Sequence, residues 1–266
     1  MPETYRKTRL PATRLLTIAV MNIGVKAHYV SGFLEIDVTD ARRRIKEAKS
    51  RGDRISFTGW IMKCVASAAK EFPEINAYRK GRYLYMFETV NMGMMVEREL
   101  KGEKVPLGCV IKDCDTKSVR DISLEIAEAK EGDTGDELVI ADRRSAKIAK
   151  YAVMLPKPLH SLGARIFFWD PVKNHARMGT IGVTAVGMFG RSGGWPLPIP
   201  NVHSLALAVG GISRKPRYIG GGDELEPRDM LDLTLMFNHD VIDGAPAARF
   251  SARLIEMMET AYGLER

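Results

Sequence analysis

An α+β fold follows from three features of this 266-residue chain. Segments with apolar residues at helical spacing alternate with short runs that alternate apolar and polar residues. No repeat of 20 to 50 residues, low-complexity tract or sustained heptad pattern is present. Hydrophobic residues make up 45% of the chain, ample for one large domain with a full core, and residues 1–266 are expected to form a single domain.

The first strand is read at Phe33-Leu34-Glu35-Ile36-Asp37-Val38, where the alternation is strict, and Thr39 and Asp40 offer a cap for a charged helix running to about Lys49. Ser50 to Asp53 break the pattern. Thr58 to Phe72 carries apolar residues at helical spacing, and Pro73 must stop it because proline cannot continue the hydrogen-bond ladder. Strands follow at Tyr83–Phe87, Thr89–Val96 and Pro106–Ile111, the last two joined by a charged turn from Arg98 to Lys104. Lys117 to Glu131 reads as a helix with Val119, Ile122 and Ile126 on one side.

Glu137 to Ala152 reads as helical, whereas Leu155-Pro156-Lys157-Pro158 forbids a helix running on into Ile166-Phe167-Phe168-Trp169. Those aromatics suit a substrate entrance, a docking face or the core, and core packing is the simplest expectation. Gly179 to Gly187 is a strand of small residues bounded by glycines, which permits close approach of another backbone or a ligand. Trp195 to Pro200 is proline-rich and reads as an ordered loop or interface segment. Further strands are expected at Leu205–Gly211 and Leu231–Phe237.

The last of these runs leads into Asn238-His239-Asp240-Val241-Ile242-Asp243-Gly244. An imidazole and a carboxylate four residues apart, closed by a glycine, supply a base, a group to fix the loop and a turn to expose both, which is the chemistry of removing a proton from a thiol or hydroxyl. His28, His160, His175 and His203 are expected to be structural or surface groups; the last three are placed in loops, without metal-ligand spacing. Cys64, Cys109 and Cys114 are read as plain buried or half-buried thiols and no metal site is expected. The net charge of +7 suits an anionic partner, but basic and acidic residues are interspersed, so an acidic cofactor fits as well as nucleic acid does. Gly220 to Gly222 lack the following Lys-Ser/Thr of a phosphate loop and read as a flexible turn. Neither a signal peptide nor a spanning run is apparent, and a cytoplasmic location is expected.

Four ordered segments resemble the catalytic domain of the acyltransferase component of 2-oxo acid dehydrogenase complexes. Phe33 to Thr39 is similar to its E-V-D-V-T strand; Trp60 to Ala77 is similar to its helix ending in F/Y-P-x-x-N; Gly179 to Gly190 and Asn238 to Phe250 are similar to its glycine-bounded strand and its D-H-R-x-x-D-G-A-x-x-A-x-F segment. The resemblance implies a chloramphenicol acetyltransferase-like fold, a two-layer mixed sheet packed with helices. It implies coenzyme A as cofactor, a dihydrolipoyl-like thiol or another small molecule as acyl acceptor, a lipoyl-bearing protein as potential partner, and a homotrimer or multiple of trimers, without nucleic acid or membrane span. His239 is then the general base, Thr184 matches the serine that donates to the oxyanion, and Asp243 fixes the loop by pairing with an arginine, for which Arg14 is the positional match. Asn238 and Gly244 complete the support of the turn. The chain departs from the pattern at Asn238, where Asp or His is usual, at Asp240, where Arg is usual, at Thr184 for Ser and at Ala185 for Asn. The lipoyl module, the subunit-binding module and the Ala/Pro-rich linker of the family are not seen, and a free-standing form is expected. The alternatives are a relative of chloramphenicol acetyltransferase or condensation domains acting on an alcohol or amine, and a non-catalytic assembly core.

Overall fold

The computed structural model describes residues 4–8, 10, 12–100, 103–131, 163, 166–187, 193–219 and 222–264. Helix α1 (Ala12–Gly24) precedes β1 (Tyr29–Asp37), α2 (Thr39–Ser50) and α3 (Phe57–Glu71), and a single 3-10 turn (Pro73–Asn76) leads into the hairpin of β2 (Ala77–Lys80) and β3 (Tyr83–Met86). Strands β4 (Met92–Leu100) and β5 (Glu103–Ile111), helices α4 (Val119–Glu131) and α5 (Pro171–Met178), strands β6 (Ile181–Ala185), β7 (Leu205–Tyr218) and β8 (Leu225–Asn238), and helix α6 (Gly244–Glu259) follow. The main sheet has the order β1-β8-β7-β6-β4-β5, with β6 parallel to both neighbours and the other pairs antiparallel. The expected α+β class and mixed sheet are borne out.

Period-two burial assigns the faces. Leu231, Leu233, Leu235 and Phe237 of β8 and Leu205, Leu207 and Val209 of β7 are buried in the same core cluster as α3 and α6. α3 packs between α4 and α6 and is buried almost all round, from Trp60 to Ala69. It starts at Ser56, whose hydroxyl accepts the Gly59 N–H at 2.9 Å, and stops at Pro73. Phe250 of α6 is fully buried and meets Phe72 and Phe237 edge to face, tying α6 to the end of α3 and to β8; truncating such a side chain costs about 3–5 kcal/mol.

Asn76 shows why a buried amide belongs after the proline. Its Nδ2 donates to the carbonyls of Phe87 and Thr89, each at 2.8 Å, and its Oδ1 accepts from the Thr180 hydroxyl, so one side chain joins the 3-10 turn, the approach to β4 and the approach to β6. Gly179 is required where it stands: its φ is +70°, and an added Cβ would strike the Asn91 carbonyl.

Several expectations are corrected. The N-cap residue of α2 is Val38, without a capping side chain, and not Thr39 or Asp40; the preceding Asp37 carboxylate accepts the Thr39 N–H at 3.0 Å and its hydroxyl at 2.6 Å. Burial alone would raise the Asp37 pKa, but these bonds and Arg228 more than offset it and hold it below the usual range. The turn expected over Arg98–Lys104 is mostly strand, since pairing continues to Leu100 opposite Glu103. β7 and β8 run well past Gly211 and start well before Leu231, as an arm in which Ser213 to Tyr218 pair with Met230 to Leu225. His175 lies on α5, not in a loop, with its ring stacked 4.0 Å from Phe87. Ile166 and Trp169 are 67% exposed, so that run is not core. The three cysteines are buried, as expected, and form no disulfide. The expected helix at 137–152, the 155–158 break, His160 and Gly220 and Gly221 fall outside the described residues.

The His203 ring wedges against Gly93 and Gly182, where added Cβ atoms would lie about 3 Å from it. Burial pushes its pKa down to about 4 although oxygens of Asn201 and Met178 face both ring nitrogens and favour the cation. Between that value and the ordinary 6.5 the unfolded chain binds more protons, so stability is full above about pH 6.5 and falls by roughly 3 kcal/mol toward pH 4. Ring-proton NMR of the folded protein at pH 5 will find His203 neutral; a ring already charged at pH 6 would contradict this.

Candidate functional site

The histidine turn begins where β8 leaves the sheet. Asn238 pairs with Tyr29 of β1 and donates its N–H to Ser204 at 2.8 Å. Its carbonyl accepts the N–H groups of Val241 and Ile242, each at 3.0 Å, and its Oδ1 accepts the Asp240 N–H at 3.0 Å. The buried side chains of Val241 and Ile242 anchor the turn, and the Asp243 carbonyl starts α6 by accepting from Ala247 at 3.1 Å. His239 is left exposed between these anchors, its N–H donating to the His28 carbonyl at 2.6 Å.

Around the turn lies a cleft of about 340 Å³ lined by Lys26, Tyr29, Tyr78, Arg79, Trp169, Asn201, Asn238 and Asp240 among others. The Tyr29 hydroxyl donates to the Asn201 carbonyl at 2.5 Å, and burial, opposed by that bond and aided by the Asp240 charge, pushes its pKa up to about 12. Tyr78 donates to the Gly179 carbonyl, and burial raises its pKa as well. Both phenols therefore stay neutral. Lys80 lies 4.9 Å over the Trp169 ring, which holds that indole at the cleft mouth. The sequence offered no signal for this grouping, because His28, Arg79, Trp169 and Asp240 are brought together from distant segments; the departure at Asp240 was the one local hint.

Thr184 is elsewhere. On β6 it is level with Ala208 of β7 and Thr234 of β8, on the sheet face opposite the helical core. From Thr234 to His239 is five residues along β8, and two strand spacings separate Thr184 from Thr234. At about 3.4 Å per residue and 4.8 Å per strand, Thr184 and His239 of one chain are therefore roughly 20 Å apart. Asp243 is the N-cap residue of α6, but its carboxylate makes no capping bond, and it is exposed, as is Arg14; no ion pair joins the two among the described residues. Gly244 is the first residue of α6 with an open Cβ position and no left-handed φ, so the turn does not require a glycine there.

The sheet and helical layer define the fold. At the level of architecture they match solved acyltransferase cores: a probable dihydrolipoamide acetyltransferase from Listeria monocytogenes (TM-score 0.71, 22% identity, 97% of this chain and 96% of that one) and a truncated catalytic core of the 2-oxoacid dehydrogenase multienzyme complex from Thermoplasma acidophilum (TM-score 0.67, 23% identity, 97% and 99%). The sequence places the chain more closely. The family described as 2-oxoacid dehydrogenases acyltransferase (catalytic domain) matches residues 4–148 and 173–264, and the chain belongs to that family. Its curated relatives include the dihydrolipoyllysine-residue acetyltransferase component of the pyruvate dehydrogenase complex from Cupriavidus necator, 27% identical over 84% of this chain and 34% of that protein. The lipoamide acyltransferase component of the branched-chain alpha-keto acid dehydrogenase complex from Bacillus subtilis is 25% identical over 97% of this chain and 56% of that protein. The chain thus spans about a third to a half of the length of such relatives.

Because Gly244 sits at a helical position with open space, Gly244→Ala is expected to leave the melting temperature unchanged or raise it, by up to about 1 kcal/mol in stability. A clear fall in melting temperature would mean that the turn needs the glycine after all; a loss of turnover at unchanged melting temperature would mean that a substrate or a second copy occupies that space.

Proposed function

We propose that the chain is a single catalytic domain, residues 1–266, that moves an acyl group between coenzyme A and a thiol, a dihydrolipoyl group or a similar small acceptor. The observation that carries this reading is the exposed His239 on a turn fixed at both ends beside a cleft, in a chain belonging to an acyltransferase family. Relatives named for dihydrolipoyllysine acyl transfer support the acceptor class. Cationic Lys26 and Arg79 at the cleft suit the phosphates of coenzyme A, and its aromatic lining suits a pantetheine arm. Buried thiols without a disulfide suit the cytoplasm; among the described residues no helix is long and apolar enough to cross a membrane.

In this reading His239 takes the proton of the acceptor thiol as its sulfur attacks the thioester carbonyl. The tetrahedral oxyanion receives a hydrogen bond from the Thr184 hydroxyl. Collapse breaks the bond to the coenzyme A sulfur, which recovers the proton from the imidazolium. Asn238 holds the turn, and the Asp243 carboxylate, which makes no ion pair among the described residues of its own chain, fixes the loop by pairing with Arg14 of a neighbouring copy.

The separation of roughly 20 Å along and across the strands means that His239 and Thr184 can serve one carbonyl only if they come from different copies, so the working unit is a trimer or a multiple of trimers with sites between copies. Exposed apolar residues support an interface of this kind. The segment from Trp195 to Asn201 runs antiparallel along β1, with the Trp195 indole donating to Leu34 at 3.0 Å and Asn201 accepting from Tyr29, yet its prolines make no ladder. Leu197, Ile199 and Phe33 stand 65%, 58% and 55% exposed on this strip.

His239→Ala will lower turnover of an acyl-coenzyme A with dihydrolipoamide by at least ~10²-fold with the melting temperature unchanged; near-normal turnover would sink the mechanism. Mixing inactive His239→Ala and inactive Thr184→Val proteins under conditions of subunit exchange will restore part of the activity, because some interfaces then carry both intact groups. No recovery despite proven exchange, or a fully active monomer by light scattering, would refute the shared site.

A further inference from the structure

We propose that Asp240 is a positioning residue for His239, acting through His28; this rests on the reading of His239 as the base. A catalytic imidazole is commonly oriented by a third group bonded to its second nitrogen. Among the described residues no side chain hydrogen-bonds the His239 ring, so its aim is set by the backbone of its turn. His28 holds that backbone at the centre, its carbonyl accepting the His239 N–H at 2.6 Å. The next residue in the chain then reaches back: Asp240 Oδ1 lies 2.8 Å from His28 Nδ1, and Oδ2 lies 3.5 Å from Nη1 of Arg79 on β2. His28 main chain, His239, Asp240 side chain and His28 ring close a loop of contacts, and Arg79 braces it from the β2–β3 hairpin.

The chemistry selects a carboxylate at position 240. An ionised carboxylate only accepts, so the facing Nδ1 of His28 must carry its proton. An arginine, usual at this position in the resembled family, offers only donors; it would compete with the Nδ1 proton and repel Arg79. The Asp240 side chain is 23% exposed, which lets the pair with His28 be stronger than a fully solvated one. The His28 ring, 85% exposed, serves as the link and not as a buried strut.

The test is a double-mutant cycle on the full chain, with acetyl-coenzyme A and dihydrolipoamide as probes. Asp240→Ala and His28→Ala should each lower kcat about tenfold while KM for acetyl-coenzyme A changes less than about twofold, and the double variant should be no slower than the slower single one, because both cut the same link. Asp240→Glu should recover more than half of the lost kcat. Multiplicative effects in the double variant, or a raised KM with unchanged kcat, would overturn the proposal. A readout independent of turnover is the His28 tautomer by nitrogen-15 NMR: Nδ1–H in the native chain, and no longer fixed in Asp240→Ala. An unchanged tautomer in that variant overturns the pair whatever the activity. The expected tautomer in a native chain that turns over no acyl-coenzyme A would overturn the acyl-transfer reading, and with it any role for the pair in positioning a base.

Discussion

The histidine turn depends on β8 being paired on both sides up to its last residue. Tyr29 of β1 and Ser204, just before β7, grip Asn238 from opposite edges, and Phe250 fixes α6 a few residues later. The intervening chain has two immobile ends and little slack. Strand pairing has a period of two, so a one-residue slip of β8 would carry Leu231 to Phe237 from the core to the other face, and the burial of that row forbids it. The same register that fills the core therefore fixes where the imidazole emerges. The irregularity between Val209 and Ile212 takes up the one mismatch on the β7 side, and Gly210 allows it, since a Cβ there would strike the Gly194 and Asp232 carbonyls.

The two sheet faces have different physical characters. One is closed by helices and lined with large aliphatic residues. The other carries Ala206, Ala208, Asp232, Thr234 and Met236, all buried, with Thr184 half-buried beside them, and the strip from Gly193 to Asn201 covers part of it. Gly194 donates to the buried Asp232 carboxylate and so pins the start of that strip. Beyond it the strip turns apolar side chains outward. Exposed apolar side chains of this kind are satisfied by another protein surface more readily than by water, which agrees with the distance between Thr184 and His239 in requiring a second copy for the proposed chemistry.

Legibility in the sequence followed burial. α3, α4 and the core half of β8 were readable because their partners are the core, and the core writes a periodic pattern. The arm formed by Ser213–Tyr218 and Leu225–Met230 was not. It is exposed, holds Pro216 opposite Pro227, and draws on ion pairs, such as Lys215 with Glu35 at 2.5 Å and Arg228 with Asp37 at 2.6 Å, that leave no hydrophobic period. α5 has only eight residues; its one cue was Asp170-Pro171, and the Asp170 carboxylate does accept the Val172 N–H at 3.0 Å. α1 also escaped notice, although Arg14, Thr17 and Asn22 stand exposed among its apolar residues. At the site, the sequence located His239 and the turn, but it overstated Gly244 and could not foresee the contact of His28 with Asp240, 212 residues away.

The distribution of departures from the family pattern has a physical logic. Pro73, Asn76 and Gly179 retain their places in the matched segments, and each answers a need of the fold itself: a helix stop, three buried hydrogen bonds, a left-handed φ against a carbonyl. Those needs do not change with the substrate. Asn238 and Asp240 line the cleft and Thr184 lies on the sheet face away from the helices, where a side chain answers to whatever is bound and to its immediate neighbours; Ala185, by contrast, packs against the core. Such positions can change if the neighbours change with them. Asp240 illustrates the condition, because a carboxylate there is tolerable only where His28 presents a donor and Arg79 a counter-charge. The scaffold thus keeps the histidine in place, and a small group of mutually dependent residues decides how it is aimed.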